Sequence, residues 1–151
     1  MGLLSQHLRE EDILLDVEAV DRPDLFGLVG RHMFQRYGLR ATSVAAALDR
    51  REQAESTALG QGVAIPHARL AEVDAIHVAY VRLKRPMPFR APDRAPVSDL
   101  LVLLVPSPAA PDHLDLLAEA AQLFSDEPFR LALRQSTDAK TVKILFDRRT
   151  I

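Results

Sequence analysis

The sequence contains no cysteine and no tryptophan. Without thiols there is no disulfide staple, no thiolate nucleophile and no Cys-ligated zinc. Aromatic residues make up only 5% of the chain, too few for the stacking platforms on which nucleobases are bound. Basic residues are not in excess either: 19 Lys and Arg face 21 Asp and Glu, a net charge of −2. A phosphate backbone demands a basic footprint, so nucleic acid is not an expected partner. Long apolar runs are missing too. The longest, Val97–Pro106, is interrupted by Ser98 and Asp99 and falls short of the ~18 residues that cross a bilayer. The opening MGLLSQHLREED has no basic region before an apolar stretch, and Gln6 breaks the myristoylation pattern behind Gly2. The expectation is a cytoplasmic protein with no direct membrane insertion.

What is present suits one globular unit. The 151 residues are 48% hydrophobic and 26% charged, which is the balance of a folded domain spanning residues 1–151. Apolar periodicity predicts alternating elements. A helical turn fits residues 3–8 and a strand fits 13–17. Pro23 opens a helix that carries Leu25, Leu28, Val29 and Met33 on one stripe and stops at Gly38. Thr42 or Ser43 is placed to cap a second helix that runs to about Arg51. Strands are expected over residues 63–65, 75–83 and 100–105, the last buried on both faces. Residues 85–96 read as a loop between two of them. Pro111 and Asp112 begin a long helix, Pro128 a short one, and Asp138 caps a last one with Val142, Leu145 and Phe146 inward. This interleaving predicts an α/β three-layer sandwich: a mixed, mostly parallel sheet of about five strands with helices on both faces. His7, His32 and His77 read as structural or exposed, and the acidic residues 10–12 as a solvated turn.

The chemically informative stretch is residues 51–69. It holds a cation (Arg51), adjacent hydroxyls (Ser56, Thr57), two glycines (Gly60, Gly62) and a histidine behind a proline (Pro66-His67). Guanidinium forks match phosphate oxygens. Glycines let backbone N–H groups approach an anion. A neutral imidazole is a nucleophile for a phosphoryl group, and phosphoryl transfer asks mostly for positioning and charge stabilisation. Walker-type lysines and Gly-x-Gly-x-x-Gly are absent, so nucleotide binding is not supported. The composition alone leaves a turn and a structural histidine as open readings. A metal site built from His67, His77 and His113 has no supporting ligand spacing.

The order Arg51-Glu52, Ser56-Thr57, Gly60-x-Gly62-Val63-Ala64-Ile65-Pro66-His67 resembles the signature of the fructose/mannitol/nitrogen-regulatory class of phosphotransferase-system IIA domains. The resemblance continues through Pro86-Met87-Pro88-Phe89, Leu103-Leu104-Val105-Pro106, His113-Leu114 and Leu123-Phe124-Ser125-Asp126. It implies that His67 carries the phosphoryl group, that Arg51 neutralises it and that His113 is the second active-site imidazole. Ser56, Thr57, Gly60 and Gly62 are the further candidate phosphate-binding residues. The implied donor is a phosphorylated HPr-type carrier, so no metal, nucleotide or other cofactor is called for. The implied recipients are regulatory target proteins, or a IIB domain if the chain is a sugar-permease subunit for fructose or mannitol. A chain closing at Ile151 without a linker looks most like the stand-alone nitrogen-regulatory branch. A non-catalytic binding module that has lost phosphorylation is a further alternative. It is prompted by Ala68 and Glu55, which with Ala58 stand where glycine is common in the family pattern.

Overall fold

The computed structural model describes residues 2–108 and 111–149; Ile151 lies outside them. The elements in chain order are α1 Leu3–His7, β1 Leu8–Val17, α2 Arg22–Tyr37, α3 Ala41–Ala54, β2 Ala58–Gly60, β3 Val63–Ala64, β4 His67–Leu70, β5 His77–Met87, β6 Val97–Pro106, α4 Pro111–Ser125, α5 Glu127–Gln135 and α6 Ala139–Arg149. The sheet runs β1-β5-β6-β3-β2, with β4 also on β6. Pairs β1–β5, β3–β6 and β4–β6 are parallel, whereas β5–β6 and β2–β3 are antiparallel. This is the expected mixed sheet with helices on both faces, one strand larger than anticipated.

Strand alternation divides the interior into two cores. In β6, Leu100, Val102 and Leu104 face a core closed by Leu25, Val29 and Met33 of α2 and Val44 and Leu48 of α3. Leu101, Leu103 and Val105 face the other, closed by Leu116, Phe124, Phe129, Val142 and Phe146 from α4, α5 and α6. The unbroken apolar run of β6 thus follows from its central place, covered on both sides.

Local signals set most boundaries. Asp21 caps α2 by accepting from the Asp24 N–H at 2.9 Å, and Gly38 ends it with φ +73. α3 differs from expectation. It starts at Ala41 after Arg40, with no side-chain cap, so neither Thr42 nor Ser43 caps it. The loop expected over 85–96 is shorter, because β5 continues to Met87. Helices α2 and α3 cross closely at Gly30, where a Cβ would lie 2.4 Å from the Ala41 carbonyl oxygen.

The acidic residues 10–12 are not a solvated turn; they lie within β1, and Asp12 is fully buried. His32 contacts Asp12 Oδ1 at 2.7 Å, Arg36 Nε donates to the same oxygen at 3.0 Å, and the Tyr37 hydroxyl donates to Oδ2. One carboxylate therefore ties α2 to the sheet edge. Burial alone pushes its pKa up, but the hydrogen bonds from His32, Arg36 and Tyr37 outweigh burial and hold it at about 2. His77, whose ring lies tilted against Tyr37 with centroids 4.2 Å apart, packs against this assembly.

Two stability measurements test the packing. Gly30→Ala is expected to lower urea-unfolding stability by about 1–3 kcal/mol, because the approaching helix backbone has nowhere to go. Asp12 has a depressed folded pKa, so its stabilisation is complete above the ordinary aspartate range. It drains as pH falls from there through about 2. Asp12→Asn should therefore be destabilised by about 2 kcal/mol at pH 7, with the gap to the parent closing toward pH 2.

Candidate functional site

β3 and β4 lie end to end along the same edge of β6: Val63 and Ala64 pair with Asp99 and Leu100, and His67 to Leu70 pair with Leu103 to Pro106. The break between them is Ile65-Pro66. The Pro66 carbonyl still accepts from the Leu103 N–H at 3.0 Å, and the Ile65 N–H turns away to the Thr57 carbonyl at 3.1 Å. His67 thus opens a new strand segment instead of continuing the old one. Ala68 and Leu70 belong to the core under α2 and α3, and His67 and Arg69 alternate with them along β4.

The His67 ring is half-buried, with Nδ1 2.9 Å from the Ile65 carbonyl oxygen. A carbonyl only accepts, so Nδ1 carries the proton and Nε2 keeps its lone pair. Burial lowers the imidazole pKa. The Ile65 carbonyl and Glu52 raise it, Arg51 and Arg69 lower it, and the net shift is downward. The ring is therefore neutral at pH 7.

A hollow of about 410 Å³ opens beside the ring, lined by Ala47, Arg50, Arg51 and Ala54 of α3 and by His67, Ala68 and Arg69 of β4. The α3 residues recur at three- and four-residue spacing, one face of the helix. Three guanidiniums in one concavity with a neutral imidazole make a place for an anion. Arg51 Nη1 donates to the Glu55 carbonyl at 2.7 Å, which fixes its fork in the last turn of α3.

Other expected residues have different company. The Thr57 hydroxyl donates to Glu52 Oε1 at 2.6 Å, and the Ser56 hydroxyl donates to the Phe89 carbonyl. Each hydroxyl hydrogen is thus spent inside the protein, so here these groups secure the loop and do not offer a donor to an anion. Gly60 and Gly62 belong to the β2–β3 hairpin. Gln61 and Gly62 have φ 58 and φ 80, the positive values that a tight two-residue hairpin requires. Their glycines are explained by that turn, and neither lines the hollow around His67. His113 is buried in the first turn of α4 and is not among the described residues lining the hollow. Among the described residues, no group of three His, Asp or Glu is placed to hold a metal ion, and no helix is long and apolar enough to cross a membrane.

The departures at 55, 58 and 68 are accommodated. Ala68 is an in-register strand residue opposite Leu104, and Ala58 lies in β2. Neither has a left-handed φ. Glu55 has an extended backbone and an exposed side chain, and what it gives the site is its carbonyl. Arg50, Arg69 and Glu52 were not singled out from the sequence. The alternation around His67 carried the signal for Arg69, and helical spacing from Ala47 carried it for Arg50.

Known proteins resemble the chain throughout. The family described as Phosphoenolpyruvate-dependent sugar phosphotransferase system, EIIA 2, matches residues 6–148. A Nitrogen regulatory protein of Bradyrhizobium diazoefficiens is 39% identical over 105 residues, 70% of this chain and 69% of that one. One from Klebsiella oxytoca is 32% identical over 133 residues, 87% and 82% of the two chains. The crystal structure of Nitrogen Regulatory Protein IIA-Ntr from Neisseria meningitidis superposes with a TM-score of 0.89 at 37% identity, covering 95% of this chain and 99% of that one.

The lowered pKa has a direct readout. In the unmodified protein, an NMR titration of the His67 ring should show its midpoint below the ordinary histidine value of 6.5. The signal should be that of the Nδ1–H tautomer above the midpoint. A midpoint above 6.5 would contradict the assignment of burial as the dominant influence.

Proposed function

Since the chain belongs to the EIIA 2 family of the phosphoenolpyruvate-dependent sugar phosphotransferase system, a phosphotransfer component, we propose that it is a phosphoryl carrier of the nitrogen-regulatory branch, with His67 Nε2 as the acceptor. The donor is a phosphohistidine on an HPr-type carrier. Its P–N bond breaks as the His67 Nε2–P bond forms, and Nδ1 keeps its proton, donated to the Ile65 carbonyl, throughout. The donor ring leaves with the electron pair of the broken bond and takes a proton from solvent. Nothing else is needed at this step, because the transferred group arrives already activated.

The observation that carries this reading is a neutral, oriented imidazole with a free Nε2 beside Arg50, Arg51 and Arg69. Cations placed before the reaction stabilise charge on the transferring PO₃ unit without reorganisation. Arg51 neutralises the group after arrival. His113, in the first turn of α4, is assigned as the second imidazole because the family resemblance implies it, although it is not among the described residues lining the hollow. The phosphorylated form adds about −1.5 to −2 charge to this surface. Regulatory target proteins then distinguish the two forms by that charge. Relatives at 39% and 32% identity bear the nitrogen-regulatory name, which supports this branch over a sugar-permease subunit handing its phosphoryl group to a IIB domain. One domain acting in the cytoplasm completes the proposal.

Incubation with phosphoenolpyruvate and the general phosphotransferase enzymes, followed by mapping of the labelled residue, tests it. His67 should take the label at Nε2. His67→Ala should take none while keeping its circular dichroism spectrum, and Arg51→Ala should be labelled about tenfold more slowly or worse. Undiminished labelling of His67→Ala would sink the assignment.

A further inference from the structure

Glu52 is a carboxylate with 1% of its surface exposed, and the transfer chemistry described above does not use it. Both its oxygens face one residue: Oε2 accepts from the Thr57 N–H at 2.7 Å and Oε1 from the Thr57 hydroxyl at 2.6 Å. Burying a carboxylate is costly unless its hydrogen bonds are made, and here a single residue supplies both. Thr57 in turn accepts at its carbonyl from the Ile65 N–H at 3.1 Å. Ile65 holds the His67 ring through its own carbonyl. A continuous hydrogen-bonded chain therefore runs from the α3 turn that carries Arg51, through Glu52, Thr57 and Ile65, to the imidazole.

The same turn determines where the guanidinium lies. Residues 55–57 leave α3 with an extended Glu55. They are fastened to the helix by Glu52 and to the loop after β5 by the Ser56 bond to Phe89. Immediately before these two anchored residues sits the Glu55 carbonyl that accepts from Arg51. A free arginine side chain carries about 2 kcal/mol of rotamer entropy, so a fork held before the reaction keeps that cost out of the transfer step.

We propose that Glu52 and Thr57 form a buried clamp that sets Arg51 and His67 at the mutual spacing phosphoryl transfer requires. They are positioning residues that never touch the phosphoryl group. The inference rests on His67 being the acceptor, and it gives Thr57 a role different from direct phosphate binding.

Thr57→Val removes the hydroxyl donor and keeps the N–H, and Thr57→Ser restores the donor. In Thr57→Val, transfer from the phosphorylated HPr-type carrier should fall about tenfold. Thr57→Ser should recover to within about twofold. In an Arg51→Ala background, Thr57→Val should cost almost nothing further, because the two act as a unit. A second readout needs no phosphorylation. The Arg51 Nε–H NMR signal of the unmodified protein should be distinct in the parent and in Thr57→Ser, and should collapse to the free-arginine position in Thr57→Val. The charged and bonding groups facing His67 are Arg51, Arg69, Glu52 and the Ile65 carbonyl. Release of Arg51 should therefore move the His67 midpoint upward. If Thr57→Val does not fold, Glu52→Gln serves instead, since it keeps an acceptor for only one of the two bonds. An unchanged Arg51 signal with unchanged transfer overturns the clamp, as does a fully additive loss in the double variant. A parent protein that takes no label overturns the functional reading instead, while the NMR arms still report on the clamp.

Discussion

The interruption of one strand at Ile65-Pro66 is the constraint on which the site depends. Along the edge of β6, the chain pairs twice, as β3 and again as β4. At the break, the Ile65 N–H is released to Thr57 and the Ile65 carbonyl to the His67 ring. Both groups face away from β6, because it is Pro66 that turns its carbonyl to Leu103. The gap thus produces an oriented imidazole and a link to the loop after α3. The long central strand β6, buried on both faces, supplies the rigid edge on which this can be done.

The electrostatics follow from that placement. A half-buried ring sheds its proton readily, and neighbouring guanidiniums reinforce the shift. Nucleophile and cations therefore coexist without the imidazole becoming a cation itself. Glu52 partly offsets the positive field from within. A group that must arrive and also depart benefits from a site that is attractive without being a sink. The Asp12 assembly shows the opposite use of a buried carboxylate. There, three donors converge on it to lock α2 on the sheet, far down the pKa scale and outside the chemistry.

Much of the fold was legible beforehand, and the reasons are local. Pro23 and Gly38 delimit α2 by backbone restriction. The uninterrupted apolar run in β6 announces a strand covered on both sides. Other features were hidden. Residues 10–12 look solvated by composition, yet Asp12 is buried because His32, Arg36 and Tyr37 reach it from a helix twenty and more residues away. Short strands β2 and β4 have too few residues for any period to show, and only their partners define them. Thr42 and Ser43 are good caps by type, yet α3 already starts at Ala41, where it passes close to Gly30 of α2.

The sequence by itself determined the chemistry available near His67: one imidazole behind a proline, arginines, hydroxyls and glycines in one short stretch, with no thiol to compete. It also determined the alternation of helices and strands, because capping and periodicity act between near neighbours. Only the tertiary structure decided which of those groups face the hollow. It turned Gly60 and Gly62 to a hairpin, directed the Ser56 and Thr57 hydroxyls inward and brought Arg50 and Arg69 to the lining of the hollow. The physical reason is that a hydrogen-bond donor can be given once, and what it is given to depends on partners such as Glu52 and Phe89 that only folding brings within reach.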